Sequence, residues 1–185
     1  MVGEDQKMNY FNKMKGITTS PPAVNISEII WSWIGAFIGI SAVGFVHYRF
    51  FEPNDFVLMI GSFGASAVLV YGAIKSPLAQ PRNVIGGHIL SAFIGVLTLK
   101  MIPDPLWLGS AVAVATSIAL MHATRTLHPP GGATALIAVI GGEKIKSLGF
   151  IYILFPSGAG AVILVIAALI INNIPKNRKY PEYWI

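Results

Sequence analysis

The residues best suited to chemistry lie in one stretch, residues 124–142, which reads TRTLHPPGGATALIAVIGG. Its two prolines prevent regular helix just before them, because proline lacks an N–H and restricts the residue that precedes it. Pro130 suits the first turn of a helix, and the glycine pair at 141–142 suits its end. We therefore expect an extended approach that contains His128, followed by a short helix.

The beginning of this short helix has the composition of an anion-binding site. It carries small residues and one hydroxyl: Gly131, Gly132, Ala133 and Thr134. Glycine and alanine let an ion approach the backbone closely, and free N–H groups at a helix N-terminus carry partial positive charge. His128 could donate a hydrogen bond to an anion or relay a proton, since imidazole titrates near neutral pH. Two simpler roles stay open: the glycines could only permit tight helix packing, and His128 could only cap the loop.

A second stretch repeats the pattern. GASAVL begins at residue 64 and GATALI begins at residue 132, an offset of 68 residues. Both read small, small, hydroxyl, small, apolar, apolar. We expect an approach as far as Phe63 and a short helix that begins at Gly64. The second candidate anion-binding tip would then consist of Ser62, Gly64, Ala65 and Ser66.

Other polar residues lie at the edges of apolar runs. His88 lies near the start of the run 83–101, where polar groups usually serve a function, although it could instead hydrogen-bond Ser91 or a facing helix. Arginine binds oxyanions well, so Arg82 and Arg125 could attract anions at a cavity mouth, or could act only as topology signals. The candidate substrate-binding residues therefore also include Arg82, Asn83, His88 and Arg125.

The sequence offers little for catalysis or for a metal ion. It contains no cysteine, no carboxylate lies inside an apolar run, and no spacing resembles a catalytic triad or a metal site. We therefore expect that the protein is not an enzyme and holds neither a metal nor a cofactor.

The elements that must position these residues are membrane-spanning. The chain is 54% hydrophobic and 11% charged, against about 25% charged in soluble domains. Four apolar runs approach the ~20 residues that a spanning helix needs: 29–48, 83–101, 106–123 and 148–172. With the interrupted segments 56–74 and 130–140, we expect an all-α protein of about six membrane elements, two of them discontinuous half-helices. We expect the alanine-rich run 106–123 to be central.

Polar segments flank and separate these runs. Residues 1–28 form an N-terminal tail, residues 143–147 a loop, and residues 173–185 a basic, aromatic tail expected at the membrane interface. Pro156 either kinks the last run or separates it from a span that starts near Ser157. With six crossings, nine basic residues lie on the side of the two termini and four on the other side, which favours cytoplasmic termini. If residues 128–140 only dip into the membrane and return, the C-terminus moves outside and the bias becomes six against seven. We expect six elements in a prokaryotic inner membrane, and the distribution of basic residues is not that of a nucleic-acid surface.

The order of the elements suggests two units within the membrane domain 29–172: residues 29–101 and 106–172. Each unit has a helix that ends near a histidine and an arginine, then a short helix, then a run that opens on glycines. If each unit crosses the membrane three times, the second is inverted relative to the first. Transporters with this architecture hold their substrate near the midplane, between discontinuous helices.

Three segments in this order carry a resemblance to a known family. LHPPGGATAL at 127–136 resembles the signature of the HPP family of integral membrane proteins, and GSFGASAVL at 61–69 and SPLAQPRNVIGGH at 76–88 are similar to two further segments of it. The resemblance covers roughly residues 29–172. It implies a small polytopic membrane protein. Nitrite transport is reported for plastid and cyanobacterial members, and the family is usually described with four spans.

The expected function is transport of a small inorganic anion at a midplane site, with nitrite implied by the resemblance alone. The alternatives are a passive anion channel and a structural or regulatory membrane subunit. The expected partners are the anion and the lipid bilayer. A homo-oligomer is plausible because Gly35 and Gly39, one helical turn apart, would let helices pack closely.

Overall fold

The computed structural model describes residues 11–14, 16, 18–54 and 57–185. Part of the predicted N-terminal tail, residues 1–10, 15 and 17, lies outside the described residues, as do residue 55 and the first residue of the run 56–74. The described part is helical and contains no strand. Its helices are α1 Ile26–Val46, α2 Ser62–Ala67, α3 Pro81–Met101, α4 Leu106–Ala123, α5 Pro129–Ile140, α6 Glu143–Ser147 and α7 Ala159–Ile171.

Short helical turns extend several of these helices. α1 continues through the π-helical turn His47–Phe51 and the 3₁₀ turn Glu52–Asn54, and α2 continues through the π-helical turn Val68–Gly72. A 3₁₀ turn, Pro77–Ala79, precedes α3, and the π-helical turn Ile153–Gly158 precedes α7. A further 3₁₀ turn lies at Asn12–Met14.

Among the described residues, four helices are long and apolar enough to cross a membrane: Ile26–Asn54, Pro81–Met101, Leu106–Ala123 and Ile153–Ile171. Two shorter apolar helices, Ser62–Gly72 and Pro129–Ile140, lie in the segments for which half-helices were expected, and we use that name for them below. The first span begins earlier than residue 29 because the Asn25 side chain caps it, accepting a hydrogen bond of 2.9 Å from the backbone N–H of Glu28. The all-helical membrane architecture is confirmed.

α3, and not α4, is the central helix. α3 packs against α4, α5, α7 and the turn before α7. α4 packs against α3 and α5 and leaves Ile118 and Leu120 exposed. The expectation for run 106–123 was wrong because its small residues form one narrow buried stripe, Gly109, Ala113, Ser117 and Met121, while its other faces point outward.

The two half-helices differ in how closely they follow the sequence pattern. α5 ends at Ile140 as expected, and His128 before it is extended, with φ −141° and ψ 104°. α2 begins at Ser62 and not at Gly64. The extended approach to α2 is held by His47, whose Nδ1 accepts a hydrogen bond of 3.3 Å from the backbone N–H of Leu58.

The last apolar run is broken at Phe155, whose φ of −133° and ψ of 120° are not helical. Pro156 follows the break, and α7 begins at Ala159, slightly beyond the start expected near Ser157. Residues 143–147, expected as a loop, form the short helix α6.

The C-terminal tail folds back onto the loop between α2 and α3. The Tyr180 hydroxyl donates a 2.8 Å hydrogen bond to the Ala79 carbonyl, and the Glu182 N–H donates one of 2.8 Å to Gln80 Oε1. Tyr180 is only 2% exposed. The tail was expected to be an interfacial anchor. Part of it is instead packed against the domain, whereas Trp184 near its end is exposed.

Arg178 of this tail is buried at the end of the first half-helix, where the turn Val68–Gly72 continues α2. Its guanidinium donates a 2.6 Å hydrogen bond to the Tyr71 carbonyl and lies 3.7 Å from the Glu28 carboxylate. Burial lowers the pKa of Arg178, and the Glu28 carboxylate opposes that shift. A cation at a helix C-terminus is favourable. The contact with Glu28 also places the beginning of α1 and the end of the chain on the same face of the domain.

Gly35 and Gly39 pack against Tyr71 of the same chain. A Cβ atom added at Gly35 would lie 2.7 Å from the Tyr71 ring, and one added at Gly39 would overlap the Tyr71 hydroxyl. This glycine face therefore seats an aromatic ring within the protomer. The homo-oligomer stays a prediction.

Candidate functional site

Five polar side chains converge in the middle of the domain. They are Ser62 and Ser66 of α2, His88 of α3, His128 at the start of α5 and Thr134 of α5. Each is at most 1% exposed. We call this group the His–Ser cluster.

The cluster is a continuous hydrogen-bonded chain centred on Ser66. The Ser66 hydroxyl lies 2.8 Å from His88 Nε2 and 2.9 Å from His128 Nε2. On the far side of the His88 ring, Nδ1 lies 2.7 Å from Thr134 Oγ1, which in turn lies 2.9 Å from Ser62 Oγ. Two imidazoles are thus linked through a single hydroxyl.

The outer nitrogen of His128 fixes the orientation of that ring. Nδ1 lies 2.8 Å from the Leu78 carbonyl oxygen. A carbonyl oxygen only accepts hydrogen bonds, so Nδ1 carries a proton. If the ring is neutral, Nε2 is therefore an acceptor aimed at Ser66. Leu78 lies in the loop that the tail residue Tyr180 contacts through the neighbouring Ala79.

The antiparallel arrangement of α2 and α5 brings the hydroxyls together. Ser62 at the start of α2 contacts Thr134 inside α5, while Ser66 inside α2 contacts His128 at the start of α5. Ser66 and Thr134 are the hydroxyl positions of the sequence repeat. Each lies near the carbonyl four residues earlier in its own helix, at 3.3 Å and 3.2 Å, respectively. His88 contacts both.

Two glycines let α3 and α5 approach closely enough for these contacts. A Cβ atom added at Gly87 would lie 2.6 Å from the His128 Cβ, and one added at Gly131 would lie 2.8 Å from Ser91 Oγ and 2.9 Å from the Gly87 carbonyl oxygen. The His88 and His128 ring centroids are 5.1 Å apart. Gly131 therefore packs closely against α3, and its role in binding an anion stays a prediction.

The half-helix tips do not present the open row of N–H groups that the sequence suggested. Pro129 and Pro130 have no N–H, and the Gly131 N–H donates to the His128 carbonyl at 2.8 Å. At the other tip, the Phe63 and Gly64 N–H groups donate to preceding carbonyls at 3.1 Å and 3.2 Å, respectively. The polar groups lie beside the tips because the two helices overlap side by side.

The small residues of the two repeated segments therefore lie partly in the protein interior and partly on its surface. Gly64 and Ala65 are exposed, whereas Ser66 is buried. Gly132 and Ala133 line an apolar groove of about 520 Å³ together with α4 residues such as Val114. None of the hydrogen bonds that define the His–Ser cluster involves these four small residues.

The polar residues near the start of α3 hold the approach to α5. The Arg82 guanidinium donates a 2.9 Å hydrogen bond to the Thr124 carbonyl, and the Asn83 side-chain amide donates one of 2.9 Å to the Leu127 carbonyl. Arg125 is exposed, with a positive φ of 56°. Arg82 and Asn83 thus position the loop that carries His128.

Spacing in the sequence did not indicate that Ser66 would contact two histidines. A serine beside an imidazole is also the arrangement of an activated nucleophile. Here the hydroxyl is shared by two rings, is 0% exposed and lies inside a helix, whereas hydrolysis requires water and substrate at the hydroxyl.

Sequence reasoning missed Tyr152 and the buried part of the tail. The Tyr152 hydroxyl donates a 3.0 Å hydrogen bond to the Thr134 carbonyl and so supports α5 next to the cluster. A polar group within an apolar run was the available signal. Arg178 and Tyr180 lay in a segment whose basic, aromatic composition is equally typical of an interfacial tail.

Comparison with known proteins is consistent with this architecture. The family model of the HPP transmembrane region matches residues 21–181. Two transmembrane proteins of Dictyostelium discoideum are each 44% identical, over 180 and 182 residues. Each match covers 96% of this chain, and this chain spans 58% and 64% of the length of those two proteins, respectively. No solved structure matches.

The order of the spans, the His-Pro-Pro approach to a half-helix and the family match lead to one conclusion: the chain is an integral membrane protein that belongs to the HPP family.

Proposed function

We propose that the protein transports a small inorganic anion across the membrane, with nitrite as the first candidate by family resemblance. The observation that carries this proposal is the pair of interrupted, antiparallel half-helices with a buried, uncharged polar cluster between them. Discontinuous helices that meet inside a bundle are typical of transporter substrate sites.

Contacts at one face support a six-crossing topology with inverted halves. Arg178 contacts the end of α2, and Glu28 of α1 lies at the same place. Arg82 joins the start of α3 to the end of α4. If helices alternate in direction between these contacts, α1 to α3 form one unit, and α4, α5 and α7 form the second, inverted unit.

The cluster offers the donors that a small oxyanion needs. Three hydroxyls and the imidazole N–H groups lie within hydrogen-bond distance of one another, so an anion that separates them could accept several bonds at once. The described arrangement is closed to solvent. Entry of an anion would therefore require one unit to move relative to the other, as in alternating access.

Transport is favoured over hydrolysis because the Ser66 hydroxyl is shared by two imidazoles and lies inside a helix. We also propose that the protein works without a metal: in the described residues no group of three or more histidines and carboxylates is placed to hold one.

Anion uptake into liposomes that contain the purified protein tests the proposal, with nitrite, nitrate, formate and chloride compared at several concentrations. Ser66→Ala removes the hydroxyl shared by both histidines. Its matched control is Ser110→Ala, because the Ser110 hydroxyl also bonds the carbonyl four residues earlier, at 2.7 Å, but lies outside the cluster. A hydrogen bond to a charged group contributes about 1.5–3 kcal/mol, so Ser66→Ala should slow uptake about 10- to 100-fold.

The outcomes separate the alternatives. Saturable uptake of one anion, reduced in Ser66→Ala but normal in Ser110→Ala, supports transport through the cluster. Flux that rises linearly with concentration indicates a passive channel, and folded protein without flux for any of the four anions leaves a structural or regulatory role. Labelling of Ser66 by a serine-hydrolase probe would contradict the non-enzymatic proposal.

A further inference from the structure

We propose that each anion crosses together with one proton, and that His88, Ser66 and His128 carry that proton. This inference rests on the proposed transport function and specifies how the same site is coupled. It follows from the uncharged groups that surround the cluster and from the two arrangements of protons that the hydrogen bonds of the cluster allow.

The groups that contact the cluster in the described structure are uncharged. α2 contributes the Ser62 and Ser66 hydroxyls and the Phe63 ring, which lies 5.3 Å from the His88 ring. α5 contributes Thr134, the last apolar run contributes Tyr152 through the Thr134 carbonyl, and the loop before α3 contributes the Leu78 carbonyl. α4 contributes Met121, which accepts a hydrogen bond from Ser91.

A bare anion in such a place would be costly, because an uncompensated charge in a low-dielectric interior is strongly disfavoured. The nearby arginine Arg82 is engaged with the Thr124 carbonyl, and Arg125 is exposed. Within the cluster, only the two imidazoles can become positively charged. A proton on one of them would compensate the anion.

With both rings neutral, the hydrogen bonds have one consistent direction. His128 Nδ1 donates to Leu78, so its Nε2 accepts from the Ser66 hydroxyl. Ser66 Oγ then accepts from His88 Nε2–H, which leaves His88 Nδ1 as an acceptor. The Thr134 hydroxyl donates to that nitrogen. Its single proton then points to His88 and not to Ser62 Oγ, the acceptor 2.9 Å away that it has in the alternative arrangement.

One added proton reverses this direction without moving any heavy atom. A proton delivered to Thr134 Oγ1 lets the original Thr134 proton pass to His88 Nδ1. The His88 Nε2 proton then passes to Ser66, and the Ser66 proton passes to His128 Nε2, where the positive charge appears. The Thr134 hydroxyl is left with two acceptors within reach: Ser62 Oγ at 2.9 Å and the Pro130 carbonyl at 3.2 Å.

The geometry thus accommodates both proton arrangements, and the charge moves from Thr134 inside α5 to His128 at the start of the same helix, by way of His88 and Ser66. Thr134 belongs to α5 and Ser66 to α2, and His88 of the central helix joins them. Because one anion and one proton cross together, net transport should be electroneutral.

The test uses liposomes that contain the full chain and an internal pH-sensitive dye, with valinomycin and potassium to set the membrane potential. Nitrite is the probe, and protein-free liposomes give the background permeation. We expect proton uptake equal to nitrite uptake, and nitrite accumulation that is unchanged by an inside-negative potential of about 100 mV. A single uncompensated anion would instead accumulate about 50-fold less at that potential.

Two glutamine variants assign the proton carrier. His88→Gln keeps hydrogen-bonding groups in the ring position but cannot be protonated, and it should reduce coupled uptake at least tenfold. His122→Gln is the matched control, because His122 lies on α4 with its side chain exposed. If His88→Gln does not fold, as judged by size-exclusion chromatography, His128→Gln replaces it.

The results distinguish a failure of coupling from a failure of transport. Nitrite uptake without protons, or uptake that depends on the potential, overturns the coupling while leaving anion transport intact. Coupled uptake that survives in His88→Gln and His128→Gln overturns the assignment to these residues. Absence of uptake for all anions in folded protein overturns both proposals.

Discussion

Gly131→Ala and Gly132→Ala, two neighbouring substitutions in the first turn of α5, should have opposite consequences. At Gly131 the new methyl group would lie 2.8 Å from Ser91 Oγ, 2.9 Å from the Gly87 carbonyl oxygen and 3.0 Å from Met121 Sδ. The Gly87 carbonyl belongs to the backbone of the central helix and cannot turn away. At Gly132 the nearest atom would be Val114 Cγ1, at an unstrained 3.8 Å.

The magnitude follows from two opposing terms. Glycine to alanine in a helix stabilises by about 0.5–1 kcal/mol, and this gain is common to both positions. Overpacking a well-packed interior costs about 1–3 kcal/mol and applies only to Gly131. The free energies of unfolding of the two variants should therefore differ by about 1–3 kcal/mol, with Gly132→Ala the more stable.

Thermal unfolding in detergent, followed by tryptophan fluorescence, measures this difference. For a chain of this size it corresponds to a gap in Tm of about 3–10 °C. Gly131→Ala should also slow anion uptake, because moving α5 away from α3 lengthens the hydrogen bond between His88 and Thr134. Equal Tm and equal uptake for the two variants would refute the close contact between α3 and α5.

Two further predictions concern the contacts of Tyr71. Arg178→Ala should destabilise the protein by about 1.5–3 kcal/mol, because it removes the charged donor to the Tyr71 carbonyl. The control is Lys179→Ala, which changes an exposed neighbouring residue and should alter Tm little. Equal Tm values for the two variants would contradict the buried contact of Arg178. Gly39→Ala should destabilise by about 1–3 kcal/mol, because the added methyl overlaps Tyr71. Gly64→Ala, with no atom within 4 Å, should be neutral or stabilising in the same measurement, so a lower Tm for Gly64→Ala than for Gly39→Ala would count against this packing.

Local sequence signals predicted several helix boundaries well. α4 has the predicted bounds 106–123, and α5 ends where the glycine pair begins. His128 is extended because the following proline excludes helical geometry at that position. These features depend on neighbouring residues in the chain, so no long-range contact was needed to predict them.

The start of α2 was mispredicted because packing compensates for a glycine inside a helix. Gly64 lies within α2, which begins at Ser62. Phe63 is 1% exposed, and its ring occupies the space that a Cβ atom at Gly160 of α7 would fill. This contact joins elements that are far apart in the sequence, and it stabilises helix at residues 62–63. Local helix propensity does not include such a contact and so could not predict it.

The sequence by itself determined that this is a membrane protein with four long apolar helices and two short ones, because hydropathy, prolines and glycines act locally. It also singled out His88, His128, Ser62, Ser66 and Thr134 by their residue types. Only the tertiary structure decided that these five meet, across separations of 22 to 72 residues, and that Gly64, Ala65 and Gly132 do not join them. The physical reason is that small residues lie on more than one face of these short helices and permit close packing wherever a neighbouring helix lies. Only the antiparallel overlap of α2 and α5 around α3 therefore determines which face is buried.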